Sequence, residues 1–154
     1  MTLQSPWVSC KKGYFCGNTC GNMQRSRRKK VYASVQFYGM HWMLNVVTEA
    51  EGFPAAVLLR TIVATEGVEM MQQRRGRTEH LTDGPAKIAQ ALALDKRWNG
   101  TNLCASEADI FIEKAKPVLN AQIATSPRVG LGKTPEPWLS KPWNFSLVGV
   151  DPKF

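Results

Sequence analysis

The sequence predicts a single α+β domain in which an antiparallel sheet carries a protruding β-hairpin and the helices pack to one side. Strand-forming residues on both sides of a Tyr-Gly pair in QFYGMHWMLNVV (36–47) are typical of two strands joined by a tight turn. The segment 81–100 has the start and stop signals of a helix. At 154 residues, 44% of them hydrophobic, the chain is about one domain long and can bury a core.

The hairpin is expected over residues 31–48, and its tip has an unusual composition. A solvated turn favours Asn, Asp, Ser or Gly. Here Gly39 is accompanied by Tyr38, Met40 and His41. Tyr38 and Met40 are large side chains, and the tip alone favours the interpretation that they pack on the body of the protein.

Three shorter elements are expected after the hairpin. AAVLLRTIV (55–63) predicts a buried strand interrupted by the charge of Arg60. EGVEMMQQRRG (66–76) predicts a short helix ended by Gly76. A further short helix is expected over 106–115.

The segment LTDGPAKIAQALALDKRWNG (81–100) predicts a longer helix. Thr82 or Asp83 can cap its start, Pro85 suits the first turn, and Asn-Gly at 99–100 ends it. Beyond it the chain is rich in proline, and two short strands are expected there, PRVGLG (127–132) and WNFSLVGV (143–150).

Residues 1–30 are expected to form an irregular basic segment ahead of a domain at 31–154. The first 34 residues hold seven basic and no acidic residues, whereas the other 120 hold thirteen basic and twelve acidic ones. A run such as RSRRKK (25–30) is typical of an arm that binds polyanions or of an import signal. The three cysteines of this segment have spacings of six and four, a poor zinc pattern, so no metal site is expected.

The expected compartment follows from two expected absences. No run of about 18 apolar residues is present that would span a membrane. No secretory signal is recognised at the N-terminus. The four cysteines are therefore expected to be reduced thiols inside a cell.

From Phe37 onward the sequence resembles the 3-methyladenine DNA glycosylase family, of the alkyladenine (methylpurine) type. The matching stretches lie in the family's order and cover about three quarters of this chain, but only the C-terminal part of the family's domain. They are YGMHWMLNVVTEAEGFPAAVLLR (38–60), EG (66–67), LTDGPAKIAQALALDKRWNG (81–100), PRVGLG (127–132) and KPWNF (141–145).

The resemblance implies a DNA repair enzyme. Such a glycosylase excises alkylated purines by flipping the nucleotide out of the duplex and hydrolysing the N-glycosidic bond. It implies damaged double-stranded DNA as the partner, no cofactor, and a monomer. It also implies an intracellular protein associated with DNA, in the cytoplasm and nucleoid or in a nucleus.

The resemblance assigns the hairpin tip to DNA. In the family the tyrosine of Tyr-Gly-Met enters the minor groove in place of the flipped base, and here that residue is Tyr38. Gly39 would permit the turn, and Met40 and His41 would lie against the neighbouring sugar and bases. The alternative is that Tyr38 and Met40 pack on the body of the protein.

Three further residues match site positions of the family. Arg60 would position the catalytic water; the alternatives are a structural ion pair or a side chain that points to solvent. Asn45 would help the base pocket reject an unwanted amino group, or form a hydrogen bond at the strand end. Lys87 would hold a DNA phosphate at a helix start, or be merely exposed.

The family's catalytic glutamate, in a Glu-Thr-Glu-Ala-Tyr motif upstream of the hairpin, has no counterpart in this sequence. Residues 1–48 contain no Asp or Glu, and Glu49 and Glu51 are expected in a solvated turn. A pocket tyrosine of the family is replaced by Val35. These departures predict an N-terminally truncated or frame-disrupted member. The alternative function is a non-catalytic DNA-binding remnant or an inactive fragment.

Overall fold

The structure is a computed structural model that describes residues 7–10, 13–16, 32–48, 55–105, 108–114 and 118–150, with the backbone alone at 7–10, 13–16, 32, 34–38 and 114. It is an α+β fold, as predicted. Its elements are β1 (Trp7–Cys10), β2 (Gly13–Cys16), β3 (Tyr32–Tyr38), β4 (His41–Val47), β5 (Ala56–Leu58), β6 (Ile62–Val63), α1 (Val68–Arg75), α2 (Pro85–Ala91), a 3-10 helix (Lys96–Trp98), β7 (Glu113–Lys114), a second 3-10 helix (Asn120–Gln122), β8 (Ile123–Ser126) and β9 (Asn144–Leu147).

The predicted hairpin is confirmed. Strands β3 and β4 pair antiparallel over their whole length, from Tyr32 opposite Val47 to Tyr38 opposite His41. Strand β5 extends this sheet by pairing antiparallel with β4. The order is therefore β3-β4-β5, and β4 is the central strand.

Alternation along β4 fixes which face of this sheet meets the core. Leu44 and Val46 are buried, whereas the residues between and beside them are half-buried or exposed. Helix α2 packs against β4 and buries Ile88 and Ala91 in the same cluster. Because side chains of a strand alternate between its faces, Met43 and Asn45 lie on the face away from this core.

The helix predicted over 66–76 is confirmed as α1. Gly76 follows its last residue with φ of 62°, and its amide donates to the carbonyl of Gln73. A residue without Cβ adopts this left-handed conformation at little cost, so glycine ends the helix. Helix α1 is joined to α2 by Arg74, whose Nη1 donates to the carbonyl of Ala91 at 3.0 Å, and by Arg75, which donates to Gln90.

The prediction of one long helix in 81–100 is wrong in its extent. Helix α2 ends at Ala91, and Ala93 has φ of 53°, which a helix cannot continue through. Thr82 does not cap the helix because its Oγ1 donates to the carbonyl of Ile62 at 2.7 Å. Gly84 occupies the N-cap position, and no side chain there caps the helix by a hydrogen bond. The carboxylate of Asp83 is bound by the side chains of Lys87 and His80.

Two other predicted elements differ from the structure. Residues 55–63 form two short strands, with Arg60 in the break between β5 and β6. The helix expected over 106–115 is absent from the described residues 108–114, where Ile110 and Phe111 are both buried. The amide of Ile112 donates to the carbonyl of Leu103 at 2.7 Å, so pairing with a neighbouring segment replaces helical hydrogen bonds there.

The expectation that the first 30 residues are irregular is wrong for two stretches. Strands β1 and β2 pair with each other, and β2 also pairs with β6 and β1 with β7, so this second sheet has the order β6-β2-β1-β7. The rest of 1–30, including RSRRKK, lies outside the described residues. The domain boundary at residue 31 stays a prediction.

The C-terminal part forms a third, two-stranded sheet from β8 and β9. The strand predicted within 143–150 is therefore confirmed, but the one predicted at 127–132 is wrong. Gly130 and Gly132 have positive φ values of 79° and 54°, and the pairing strand lies just ahead of this turn, at 123–126. Pro127, which has no amide hydrogen to donate, follows the strand directly.

Among the described helices, none has the length and apolar character needed to cross a membrane. Within the same residues, no cluster of three histidine, cysteine or carboxylate side chains is arranged to hold a metal ion.

Candidate nucleic-acid interface

The tip of the hairpin is a two-residue turn exposed to solvent. Gly39 occupies its first position with φ of 67°, as glycine does in tight hairpin turns. Met40 is 83% exposed and His41 is also exposed. The ladder fixes the backbone of Tyr38 opposite His41, whereas the side chain of Tyr38 lies outside the described part. Its exposure therefore stays a prediction.

A half-buried surface leads from this tip along the outer face of the sheet. Met43 and Asn45 follow His41 on this face, and both are half-buried. Asn45 is paired with Ser34 on one side and with Leu58 on the other. An amide side chain is thus held at the middle of the three-stranded sheet, where it can donate and accept hydrogen bonds.

Arg60 lies two residues beyond the end of β5. It is half-buried, and its Nη2 donates to the backbone carbonyl of Val129 at 2.6 Å. The partner that a partly buried arginine needs is therefore a carbonyl of the turn at 127–132. Within the described residues no carboxylate pairs with Arg60. Glu49 and Glu51 lie outside those residues.

Lys87 is engaged in an ion pair. Its Nζ donates to Oδ1 of Asp83 at 2.7 Å, and Nδ1 of His80 lies 2.8 Å from Oδ2 of the same carboxylate. Burial raises the pKa of the Asp83 carboxyl, but the hydrogen bonds from Lys87 and His80 outweigh it and hold that pKa below its ordinary value. The charge of Lys87 is thus already compensated within the protein.

Of the predicted site residues, Asn45 and Arg60 are connected through hydrogen-bonded neighbours, whereas, among the described residues, Lys87 is not connected to them. Asn45 and Arg60 are linked through the pairing of β4 with β5, and Arg60 is linked to the glycine-containing turn at 127–132. Lys87 belongs to a different cluster with His80 and Asp83. The contact of Arg60 with Val129 was missed, and no local signal could have revealed it because 69 positions separate the two residues.

The ion pair of Lys87 was also missed, although the sequence contained a signal for it. Asp83 and Lys87 are four positions apart, which is the spacing at which opposite charges meet on a helix.

Comparison with known proteins gives the family. The family model described as methylpurine-DNA glycosylase (MPG) matches residues 24–150. The match begins thirteen residues ahead of Phe37, where the resemblance of the sequence was predicted to begin, and it includes RSRRKK.

Curated relatives agree with this match. A protein of Rhodopseudomonas palustris (strain HaA2) is 42% identical over 114 residues, which are 73% of this chain and 53% of the relative. One from Gloeobacter violaceus is 36% identical over 107 residues (70% and 47%), and one from Desulfitobacterium hafniense is 38% identical over 120 residues (71% and 57%). Each is named "Putative 3-methyladenine DNA glycosylase".

The chain thus spans about half the length of these relatives. The family match covers the hairpin tip, Asn45, Arg60 and the turn that contacts Arg60. The chain belongs to the methylpurine-DNA glycosylase family.

Proposed function

We propose that this protein acts in DNA repair as an N-glycosylase that excises alkylated purines of the 3-methyladenine type. It would flip the damaged nucleotide out of the duplex and hydrolyse its N-glycosidic bond. The observation that carries the proposal is the exposed hairpin tip within the matched residues, with Met40 at its end. The partner would be double-stranded DNA inside the cell, bound by a monomer without a cofactor.

The exposed tip supports a role in base flipping. Removing a base from the stack leaves a gap, and minor-groove proteins commonly insert apolar wedges between base steps. Tyr38 ends one strand at the tip and Met40 projects into solvent beside it. Because the two strands are paired right up to the turn, the wedge would enter the groove on a stiff support. We assign this role to Tyr38 and Met40, with Gly39 and His41 completing the tip.

The base and the sugar would lie beside Asn45 and Arg60. The amide of Asn45 can discriminate between purines by hydrogen bonding to the base edge. The guanidinium of Arg60, held by the Val129 carbonyl, has donors that remain for a water molecule or a sugar oxygen. Lys87 would contact a phosphate only by exchanging its bond with Asp83, so we expect its contribution to be small.

Hydrolysis also needs a general base within hydrogen-bond reach of the attacking water. An arginine cannot accept a proton, and Asn45 is a poor base. Residues 1–48 hold no carboxylate. This observation favours a second candidate function, in which the chain binds damaged DNA without cleaving the glycosidic bond.

The wedge is tested by comparing binding to duplex DNA with and without an abasic site. We expect Tyr38→Ala to weaken binding to the abasic duplex by about 1–3 kcal/mol, the range measured for stacking of a base on an aromatic ring. Met40→Ala should act in the same direction. Binding to intact duplex should change less, because there the wedge has no gap to fill.

The matched control is Met70→Ala on α1, since Met70 is another exposed methionine, away from the tip. It should leave both affinities unchanged. An equal loss on both duplexes in Tyr38→Ala would contradict the wedge. Single-turnover release of hypoxanthine or methylated adenine then separates the two candidate functions, because tight binding without release supports the second.

A further inference from the structure

A cluster of aromatic and cationic side chains lies on the surface between β8 and β9. The rings of Trp138 and Trp143 are 5.7 Å apart between centroids, tilted by 47°, and each residue is 46% exposed. Nζ of Lys141 lies 4.1 Å from the centroid of Trp138 and 4.5 Å from that of Trp143. Cζ of Arg128 lies 5.2 Å from the centroid of Trp143. These four residues are called the tryptophan patch below.

Both cations of the tryptophan patch are free of carboxylates among the described residues. Lys87 and Arg97, in contrast, are paired with aspartates. The acid nearest in sequence, Glu136, accepts hydrogen bonds from the amide and the hydroxyl of Ser140 instead. The patch therefore presents two positive charges that are held by aromatic rings and not by carboxylates, so neither charge is neutralised by its contact.

The hydrogen bonding of Arg128 also leaves it available. Its Nη2 makes one long bond of 3.4 Å to the carbonyl of Trp138, and its Nε is buried without a hydrogen-bond partner among the described residues. The guanidinium is therefore only partly satisfied, and a phosphate oxygen that reached it would supply a missing acceptor. Planar guanidinium donors suit phosphate oxygens in particular.

The tryptophan patch adjoins the candidate site. Arg128 directly precedes Val129, whose carbonyl accepts the hydrogen bond from Arg60. The tryptophan patch and the contact of Arg60 therefore share the turn at 127–132.

We propose that the tryptophan patch is a second DNA-binding surface, which takes unpaired nucleotides of a strand. The exposed areas of Trp138 and Trp143 would stack on bases, and Arg128 and Lys141 would bind the phosphates between them. This combination of flat rings and cations is the one that single-stranded DNA binders use without sequence selection. The proposal rests on the proposed function in one respect only, namely that the ligand is DNA.

The test uses the 154-residue chain and a short fluorescent oligothymidylate, which has neither a partner strand nor a purine. Binding is measured by anisotropy. We expect Trp138→Leu and Trp143→Leu each to weaken binding about tenfold, in keeping with stacking on one aromatic ring. Trp138→Phe should recover part of the loss because it restores a flat ring. Lys141→Gln should lower the slope of log affinity against log salt by about 0.7.

Two matched controls lie away from the tryptophan patch. Leu119→Ala removes another exposed apolar side chain, and Lys96→Gln removes another exposed cation. Leu119→Ala should leave the affinity unchanged, and Lys96→Gln should leave the salt slope unchanged. Thermal unfolding of each variant reports whether the fold is kept, and Lys141→Gln supplies the answer if a tryptophan variant does not fold.

Mapping supplies a second, independent result. Ultraviolet crosslinking of a bromodeoxyuridine oligonucleotide should modify the peptide that contains residues 138–143. The proposal is overturned if the parent chain does not bind the oligonucleotide, if the patch variants bind it as the parent does, or if crosslinks form only elsewhere. An exposed patch that instead joins two copies of the chain would give concentration-dependent association and no oligonucleotide binding, which also overturns it.

This outcome is separable from that of the proposed function. If Tyr38→Ala has no effect on the abasic duplex but the tryptophan variants lose the oligonucleotide, the wedge fails and the tryptophan patch stands. If Tyr38→Ala is selective but the tryptophan variants behave as the parent, only the patch fails.

Discussion

At the scale of single residues, the contact between Arg60 and Val129 connects the two parts of the candidate site. A guanidinium has five donors and no acceptor, so it must be satisfied by oxygens. One of its donors is taken by the Val129 carbonyl at 2.6 Å. This bond holds the side chain against the turn at 127–132 and uses only one of its five donors. A lysine at this position would lose the planar arrangement that permits both.

The Asp83 carboxylate should make the stability of the protein depend on pH in the acid range. Its pKa is held below the ordinary value because hydrogen bonds from Lys87 and His80 outweigh the opposing effect of burial. A lowered pKa stabilises the fold above the carboxyl's ordinary pKa of about 3.9, and this contribution is lost as the pH falls through the folded-state value. We expect Asp83→Asn to lower the free energy of unfolding by about 1 kcal/mol or less at neutral pH.

Urea unfolding at neutral pH and near pH 3 checks this expectation. The difference between the parent and Asp83→Asn should shrink as the pH falls. Asp109→Asn is the matched control, because Asp109 is exposed, and it should show no comparable dependence. A loss in Asp83→Asn that is equal at both pH values would show that the ion pair is not its cause.

At the scale of elements, the turn of the hairpin depends on Gly39. Its φ of 67° lies in the left-handed region, and a Cβ built there would meet no atom within 4 Å. The cost of a side chain is therefore one of backbone conformation alone, about 1–2 kcal/mol for an ordinary residue. We expect Gly39→Ala to lower the free energy of unfolding by about that amount, measured by urea unfolding.

Gly39→Asn is the matched control for this turn. Asparagine tolerates the left-handed region better than alanine, so its loss should be smaller. If alanine and asparagine destabilise equally, then the conformation of the turn is not the reason for glycine at this position.

The elements that could be predicted are those fixed by local signals. Strand-forming residues on both sides of the Tyr-Gly pair in 36–47 predicted the hairpin, and Gly76 predicted the end of α1, because both depend on neighbours in sequence. The helix at 81–100 was predicted too long because the positive φ of Ala93 has no local signature. The helix predicted over 106–115 is wrong because the amide of Ile112 donates to the carbonyl of Leu103. The local sequence gives no sign of this contact.

The same distinction holds for the candidate site. The tip residues at 38–41 could be selected from composition, since large apolar side chains are unusual in a turn. Asn45 and Arg60 came from the family resemblance. The tryptophan patch was not found, because the contact of Arg128 with Trp143 joins residues that are 15 positions apart. Contacts between distant segments depend on the whole fold, and a single sequence does not encode them in any local pattern.

At the scale of the whole molecule, the basic run at 25–30 should set the salt dependence of DNA binding. These residues carry much of the net charge of +8 and lie within the family match. Each phosphate contact that is lost lowers the slope of log affinity against log salt by about 0.9 on duplex DNA. We expect replacement of the five basic residues by glutamine to lower this slope by several units.

Substitution is preferable to deletion of residues 1–30 because β1 and β2 pair with β6 and β7. A control with the basic residues Lys96, Arg97 and Arg77 replaced by glutamine should change the slope less. An unchanged slope in the first variant would mean that the run at 25–30 does not contact DNA.

The last prediction concerns catalysis by the 154-residue chain. Cleavage of an N-glycosidic bond passes through a sugar that carries positive charge. A carboxylate stabilises this charge and also activates the water molecule that attacks the sugar. The chain has no carboxylate before Glu49, and Arg60 donates a hydrogen bond to the backbone carbonyl of Val129. A positioned acid or base is worth about a hundredfold to ten-thousandfold in rate. We therefore expect base release by this chain to be slower by at least that factor than release by a version with a family-type N-terminal segment that contains Glu-Thr-Glu-Ala-Tyr.

Single-turnover release of hypoxanthine from duplex DNA measures both rates under the same conditions. In the extended version, replacing the first glutamate of that motif by glutamine should return the rate to that of the 154-residue chain, because the shape is kept and the general base is removed. Binding to the abasic duplex should be similar in all three proteins, since the hairpin is common to them. Robust release by the 154-residue chain would contradict the prediction, and would direct attention to Glu49 or Glu51 as the carboxylate beside Arg60.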